Sequence, residues 1–174
     1  MEIAKVNTPG EDKPFKIGDR RDATSLDELP ATHLPLLTGP ITVALGTIGE
    51  DGRQQVSPMW VNHEGRYVNI NSARGRTKDL NMRARPDVAL LFLNPKNSLH
   101  WMSINGRIVE IIEEDDPTRG HEVVKNLDDL AECYIGKRPY PRPNPNTDVR
   151  VVYKVLPDEV LTFGHPDQGL PQTK

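Results

Sequence analysis

One cysteine, Cys133, stands among 174 residues, so no intramolecular disulfide framework is available and a reducing compartment is expected. It falls in a stretch with helical spacing, where the expected role is that of a small buried apolar residue. Charge of one sign is not in excess either. A formal net charge of −3 excludes a protein that grips nucleic acid by bulk electrostatics. No apolar run approaches membrane-spanning length, and the first residues are too charged for a signal peptide, so a soluble cytoplasmic chain without a membrane partner is expected. Pairs of Cys or His at zinc spacing are missing, as are HExxH, the P-loop and GxGxxG. Ser57, followed by Pro58, has no nucleophile-elbow setting. If the chain catalyses a reaction, the reactive group is therefore more plausibly borrowed from a cofactor than supplied by side chains.

What is present centres on Tyr67 to Pro86, YVNINSARGRTKDLNMRARP. Apolar and polar residues alternate as in a strand, pass through Ser72, Ala73 and Gly75, and continue at helical spacing until Pro86. Thr77, Leu80 and Ala84 are expected to share one face of that helix. Arg74, Arg76 and Lys78 crowd its start, where the macrodipole is already positive. A solvated cationic surface and an anion site at the helix N-terminus both fit this segment. The context supplied by the rest of the chain favours the anion site.

Ile41 to Thr47 and Gln54 to Val61 read as an antiparallel hairpin turned at Asp51-Gly52. Pro58 cannot donate to a ladder, so an edge, bulge or site-facing stretch is expected at Ser57-Pro58-Met59. Ser25 to Glu28 has capping-box spacing ahead of a short, Pro-interrupted helix, with His33 packed on or beside its apolar face. Val88 to Leu93 and Leu99 to Ile112 read as strands, the second bent at Gly106. Glu113 to Asp116 and Pro117 suit the first turn of a helix running to about Ile135. A Pro- and Arg-rich loop spans Gly136 to Thr147, and Val149 to Val155 closes the sheet. Residues 1–24 are expected to form an extended or partly disordered arm, 25–163 the domain, and 164–174 a polar tail. The element order implies a mainly β (α+β) domain, a small curled or closed antiparallel barrel with peripheral helices.

Three stretches carry a family resemblance: DGRQQVSPMW from Asp51, NSARGRTKDLNMRARPDVALL from Asn71, and INGRIVEI from Ile104. Together with the late RPYPRPN and VRVVYKVLPDEV segments, they resemble the pyridoxamine 5'-phosphate oxidase-like split β-barrel superfamily. Within it they are similar to the branch of probable F420-dependent oxidoreductases. The resemblance covers about Leu26 to Val160. It implies a homodimer with flavin or deazaflavin sites at the subunit interface. Carried onto this chain, it places Arg74, Arg76 and Lys78 on the cofactor phosphate and Val56, Ser57, Pro58 and Met59 along the ring system. Asn71 and Ser72 would join the two. The implied chemistry is hydride transfer between F420, or alternatively FMN, and an unsaturated small-molecule substrate. A non-enzymatic flavin, deazaflavin or tetrapyrrole binder is the competing reading. Arg138 and Arg142 are either a basic exit for the F420 tail or a solvated loop. Tyr67, His63 and His100 are candidate proton donors, and none is assigned.

Overall fold

The computed structural model describes residues 1–7, 16–142 and 148–167. Alternation in the sequence becomes alternation in burial. β3 (Val43–Ile48) turns Val43, Leu45 and Thr47 inward, and β7 (Asp87–Leu93) does the same with Val88, Leu90 and Phe92. β4 (Gln54–Met59) pairs with β3 from Val43↔Met59 to Ile48↔Gln54 and lies at the end of the sheet, where Pro58 costs no ladder bond on its open side. The expected second strand breaks at Trp60. Beyond it, β5 (Val61–Glu64) makes a hairpin with β6 (Tyr67–Ala73).

The sheet is organised by its last strand, β9 (Arg150–Phe163), twice the expected length. Its first half pairs with β6 and its second half with β1 (Glu2–Asn7), while β8 (Trp101–Glu113) runs along the other side of both. The strand order is β2-β1-β9-β8-β7-β3-β4, with β2 spanning Lys16–Asp22. The register slips beside Gly106, as expected of a bulge. A Cβ there would stand 2.6 Å from the Leu156 carbonyl oxygen, so only glycine lets the two strands approach.

Two expectations about the ends require correction. The N-terminal arm is part of the sheet: β1 runs parallel to β9, the one parallel pair among the described residues, and buries Ile3 and Ala4. Residues 8–15 of that arm and 168–174 of the tail lie outside the described residues. The capping box is present, with the Glu28 carboxylate taking the Ser25 N–H at 3.0 Å, but it starts only a 3-10 turn. The helix proper, α1 (Leu34–Thr38), follows Pro30.

The two larger helices bury faces of different character. α2 (Thr77–Ala84) buries Asp79, Asn81 and Met82, whereas Thr77, Leu80 and Ala84 face outward. The polar residues win the inner face because they have partners there: Asn81 donates to Thr47 and Gln55, each at 3.1 Å. α3 (Gly120–Ile135) buries Val123, Leu127, Leu130 and Ala131 at i, i+4, i+7 and i+8. Cys133 lies off that stripe and is exposed, contrary to the expectation of a buried residue. Among the described residues no helix is long and apolar enough to cross a membrane.

Candidate functional site

The turn from β6 into α2 distributes the charges. Gly75 takes φ +81, a backbone conformation that residues with a Cβ rarely adopt, and this reverses the chain between Ala73 and the helix. Its N–H donates at 2.6 Å to Asp79, whose buried carboxylate also accepts from Arg83 at 2.7 Å and from the Tyr153 hydroxyl. Burial pushes the Asp79 carboxyl up, but the hydrogen bonds from Tyr153, Arg83 and Gly75 outweigh it and leave the group below its ordinary range. The helix start thus has an acid in its first turn, which meets part of the conflict raised by its cations.

Those cations then part company. Arg74 swings to Glu113 and to Asp115, at 2.7 Å, and does not line the cavity described next. Arg76 and Lys78 turn the other way, into a cavity of about 390 Å³ bounded by β4, β6, α3 and the start of β9. Arg150, which no local pattern in the sequence singled out, joins them there. The residue is 8% exposed, and its guanidinium donates through Nε (2.9 Å) and Nη2 (2.7 Å) to the Asn71 side-chain oxygen. The carboxylate of Asp148 stands 3.6 Å from Arg150 and 3.3 Å from Arg76. Lys78 has no carboxylate partner among the described residues; its Nζ rests 2.9 Å from the Met59 sulfur. Burial, then Arg76 and Arg150, push the Lys78 amine below its ordinary value. Arg150 is lowered by burial first and then by Arg76.

Asn71 is itself held in place. It donates to Asn126 on α3 at 3.1 Å, and Asn126 donates on to Asn62 at 3.0 Å, so a chain of amides crosses the body behind Arg150. The opposite wall is apolar and aromatic. Trp60 stacks on Tyr134 with centroids 5.0 Å apart and meets Tyr140 edge-on at 6.4 Å. The Tyr134 hydroxyl donates to the Ile41 carbonyl and accepts from the Val61 N–H, which fixes the chain break between β4 and β5. Pro58, Met59, Leu127 and Leu130 complete the lining.

Of the residues singled out in the sequence, Pro58, Met59, Asn71, Arg76 and Lys78 therefore converge on one cavity. Val56 is 72% exposed and lines a second hollow of about 540 Å³ on the outer face of β3, β4 and β7. Ser57 is half-buried between the two. Ser72 is buried on the side of β6 opposite Asn71. Arg138 pairs with Asp129 and Glu132, and Arg142 with Glu114 at 2.7 Å, so both are already neutralised. The candidate proton donors lie elsewhere: His63 bonds Asp27 at 3.1 Å, Tyr67 lies beneath Lys154, and His100 is buried against His33. Tyr140 is the titratable phenol in the lining. Among the described residues no group of acids, Cys and His is arranged to hold a metal ion.

Comparison with known proteins gives a family and a fold. The sequence profile of the family described as pyridoxamine 5'-phosphate oxidase matches residues 29–155. No curated protein matches the sequence. A solved structure of an F420 reductase is 26% identical, with 76% of this chain and 98% of that one covered at a TM-score of 0.62. A conserved hypothetical protein from Mycobacterium tuberculosis is 21% identical over 77% of this chain and 83% of its own, at 0.56. HutZ, a heme storage protein from Vibrio cholerae, is 16% identical over 72% and 88%, at 0.53. The last two share the fold, a mainly β split barrel with few helices.

Proposed function

Because the chain belongs to the pyridoxamine 5'-phosphate oxidase family, we propose that it is an oxidoreductase whose cationic cavity holds coenzyme F420, with FMN as the alternative, and which acts on an unsaturated small molecule. The observation that carries this reading is Arg150: a buried arginine with Lys78 nearby, it shares with Arg76 a single loosely placed carboxylate among the described residues. Uncompensated buried charge is costly, and a phosphate would supply what is missing. The residues present fit such a group. Arg76, Lys78 and Arg150 would take the phosphate, Asn71 orients Arg150, and Pro58, Met59 and Trp60 offer a flat apolar wall to a ring. The backbone of Val56 and Ser57 would continue that wall along β4, while the Val56 side chain faces the second hollow. Ser72 supports the strand from behind, and Arg74 contributes to the field rather than to contact.

When bound, the cofactor supplies the hydride chemistry that these side chains lack. The chain's own part is to anchor the anion, align the ring and, through Leu127 and Leu130, keep water from one side of it. Similarity to an F420 reductase at 26% identity favours the deazaflavin over FMN. A homodimer belongs to the same reading, since Ile48, Val56, Leu91 and Leu93 leave the outer face of β3, β4 and β7 apolar and exposed, a surface that a second copy would cover.

Separate titrations of the apo protein with F420 and FMN, followed by turnover of a panel of enones and quinones, test the proposal. Tighter binding of F420 with hydride consumption is expected. Tighter binding of FMN moves the assignment to the alternative, and binding without turnover leaves a carrier. If neither ligand binds, the proposal falls. Sedimentation showing only monomer at micromolar concentration would remove the dimer.

A further inference from the structure

Lys78 differs from the two lysines that stand beside carboxylates among the described residues, and, being half-buried, from the exposed Lys5, Lys96 and Lys137. Lys125 is pinned to Asp129 at 2.6 Å, and Lys154 lies between Glu64 and Glu110 at 3.5 and 3.6 Å. The Lys78 amine instead faces a thioether sulfur at 2.9 Å, a poor acceptor for an ammonium ion, and has two guanidinium groups as neighbours. It opens into a cavity that Trp60 and Tyr140 also line. A buried amine near other cations carries a larger share of its neutral, nucleophilic form than an exposed lysine does.

From this placement we infer that Lys78 is a covalent capture site, forming a reversible imine with small carbonyl compounds that carry an anionic group. It shares the anion-binding half of the proposed function and requires none of its redox half. The anion of the incoming compound sits on Arg76 and Arg150, which sets the carbonyl carbon before the amine. The nitrogen lone pair forms the C–N bond as the C=O π bond opens. A proton moves from nitrogen to oxygen to give the carbinolamine, and loss of water leaves the C=N bond. No electrons enter or leave, and hydrolysis reverses each step. Trp60 and Tyr140 form the side of the cavity against which an aromatic carbonyl compound would stack.

The test compares two aldehydes on the full chain, 4-formylphenyl phosphate and 4-hydroxybenzaldehyde, each trapped with sodium cyanoborohydride and mapped by peptide mass spectrometry. Lys78 is expected to be the main modified residue. The phosphorylated aldehyde should label it roughly tenfold faster, the scale of one charge-assisted hydrogen bond. Lys78→Arg should abolish that adduct, and Arg150→Met should keep the adduct while erasing the preference for phosphate. Labelling spread evenly over Lys78, Lys125 and Lys154, or equal rates with the two aldehydes, overturns the inference. Should a variant fail to fold, the map and the rate ratio on the unaltered protein still decide. Labelling of Lys78 in a protein that binds neither F420 nor FMN leaves the capture site standing and removes the redox reading. Cofactor binding with no selective adduct does the reverse.

Discussion

Two charge clusters leave the same turn between β6 and α2, and they are built on opposite terms. In the first, Arg74 and Arg83 meet Asp79, Glu113 and Asp115, with Tyr153 adding a hydroxyl, so every cation has a carboxylate in contact. In the second, Arg76 and Arg150 share Asp148 alone among the described residues, and Lys78 beside them meets no carboxylate there. The first cluster is complete within the chain and belongs to the fold. The second is short of negative charge, and the missing charge is what a ligand would bring. Sequence spacing cannot separate Arg74 from Arg76; the carboxylates that each one reaches do.

The largest effect should come from breaking the closed cluster. Asp79→Ala leaves Arg83, Tyr153 and the Gly75 N–H without their shared acceptor, and urea unfolding should show a loss of about 3 kcal/mol or more. The matching change in the open cluster is Arg150→Met. Its cost should fall on binding, with inorganic phosphate or cofactor affinity lower by about 1.5–3 kcal/mol. Stability should move less, because removal of a buried cation offsets the loss of its bonds to Asn71. A protein that loses stability and keeps affinity would show the two clusters to be alike.

A third buried group of bases sharpens the contrast, because it can shed its charge. His33 donates to the Phe163 carbonyl at 3.1 Å and packs edge-on against His100 at 4.5 Å; burial, before any neighbouring charge, holds both imidazoles below their ordinary value. The unfolded chain takes up protons below about pH 6.5 that the folded chain refuses. Stability from this pair is therefore full above that pH and declines as pH falls through it toward the depressed values. Melting temperatures recorded from pH 7.5 to 5 should fall, while the guanidinium groups of the open cluster contribute no slope there. The smallest effect is expected from Arg74→Ala, which should leave phosphate affinity within about twofold of the unaltered protein, since its side chain faces Glu113 and Asp115 in solvent.

Much of this arrangement is legible in the sequence where the signal is local. Period-two burial in β3 and β7, the bulge at Gly106, Pro58 on an edge and the helix-start cations all follow from neighbours within a few residues. Arg150 is different. Its role depends on Asn71, 79 residues earlier, which it meets because β6 pairs with β9 in the register Ala73↔Arg150. The inner face of α2 misleads for a related reason: Leu80 matches the helical period, but Asn81 and Asp79 have distant partners that reward their burial. The first strand, EIAKVN, is short and mixed in polarity, and only the far end of the chain gives it a neighbour.

The position of β9 also orders events in time. A ribosome releases the chain from the N-terminus, and β1, β6 and β8 all take β9 as a pairing neighbour. Until residue 163 has left the exit tunnel, these strands lack the edge they share, and Arg150 has not arrived beside Asn71. The hairpins β3–β4 and β5–β6 can close early because their partners are adjacent in the chain. The sheet and its cationic cavity are therefore completed together, once β9 is available to pair.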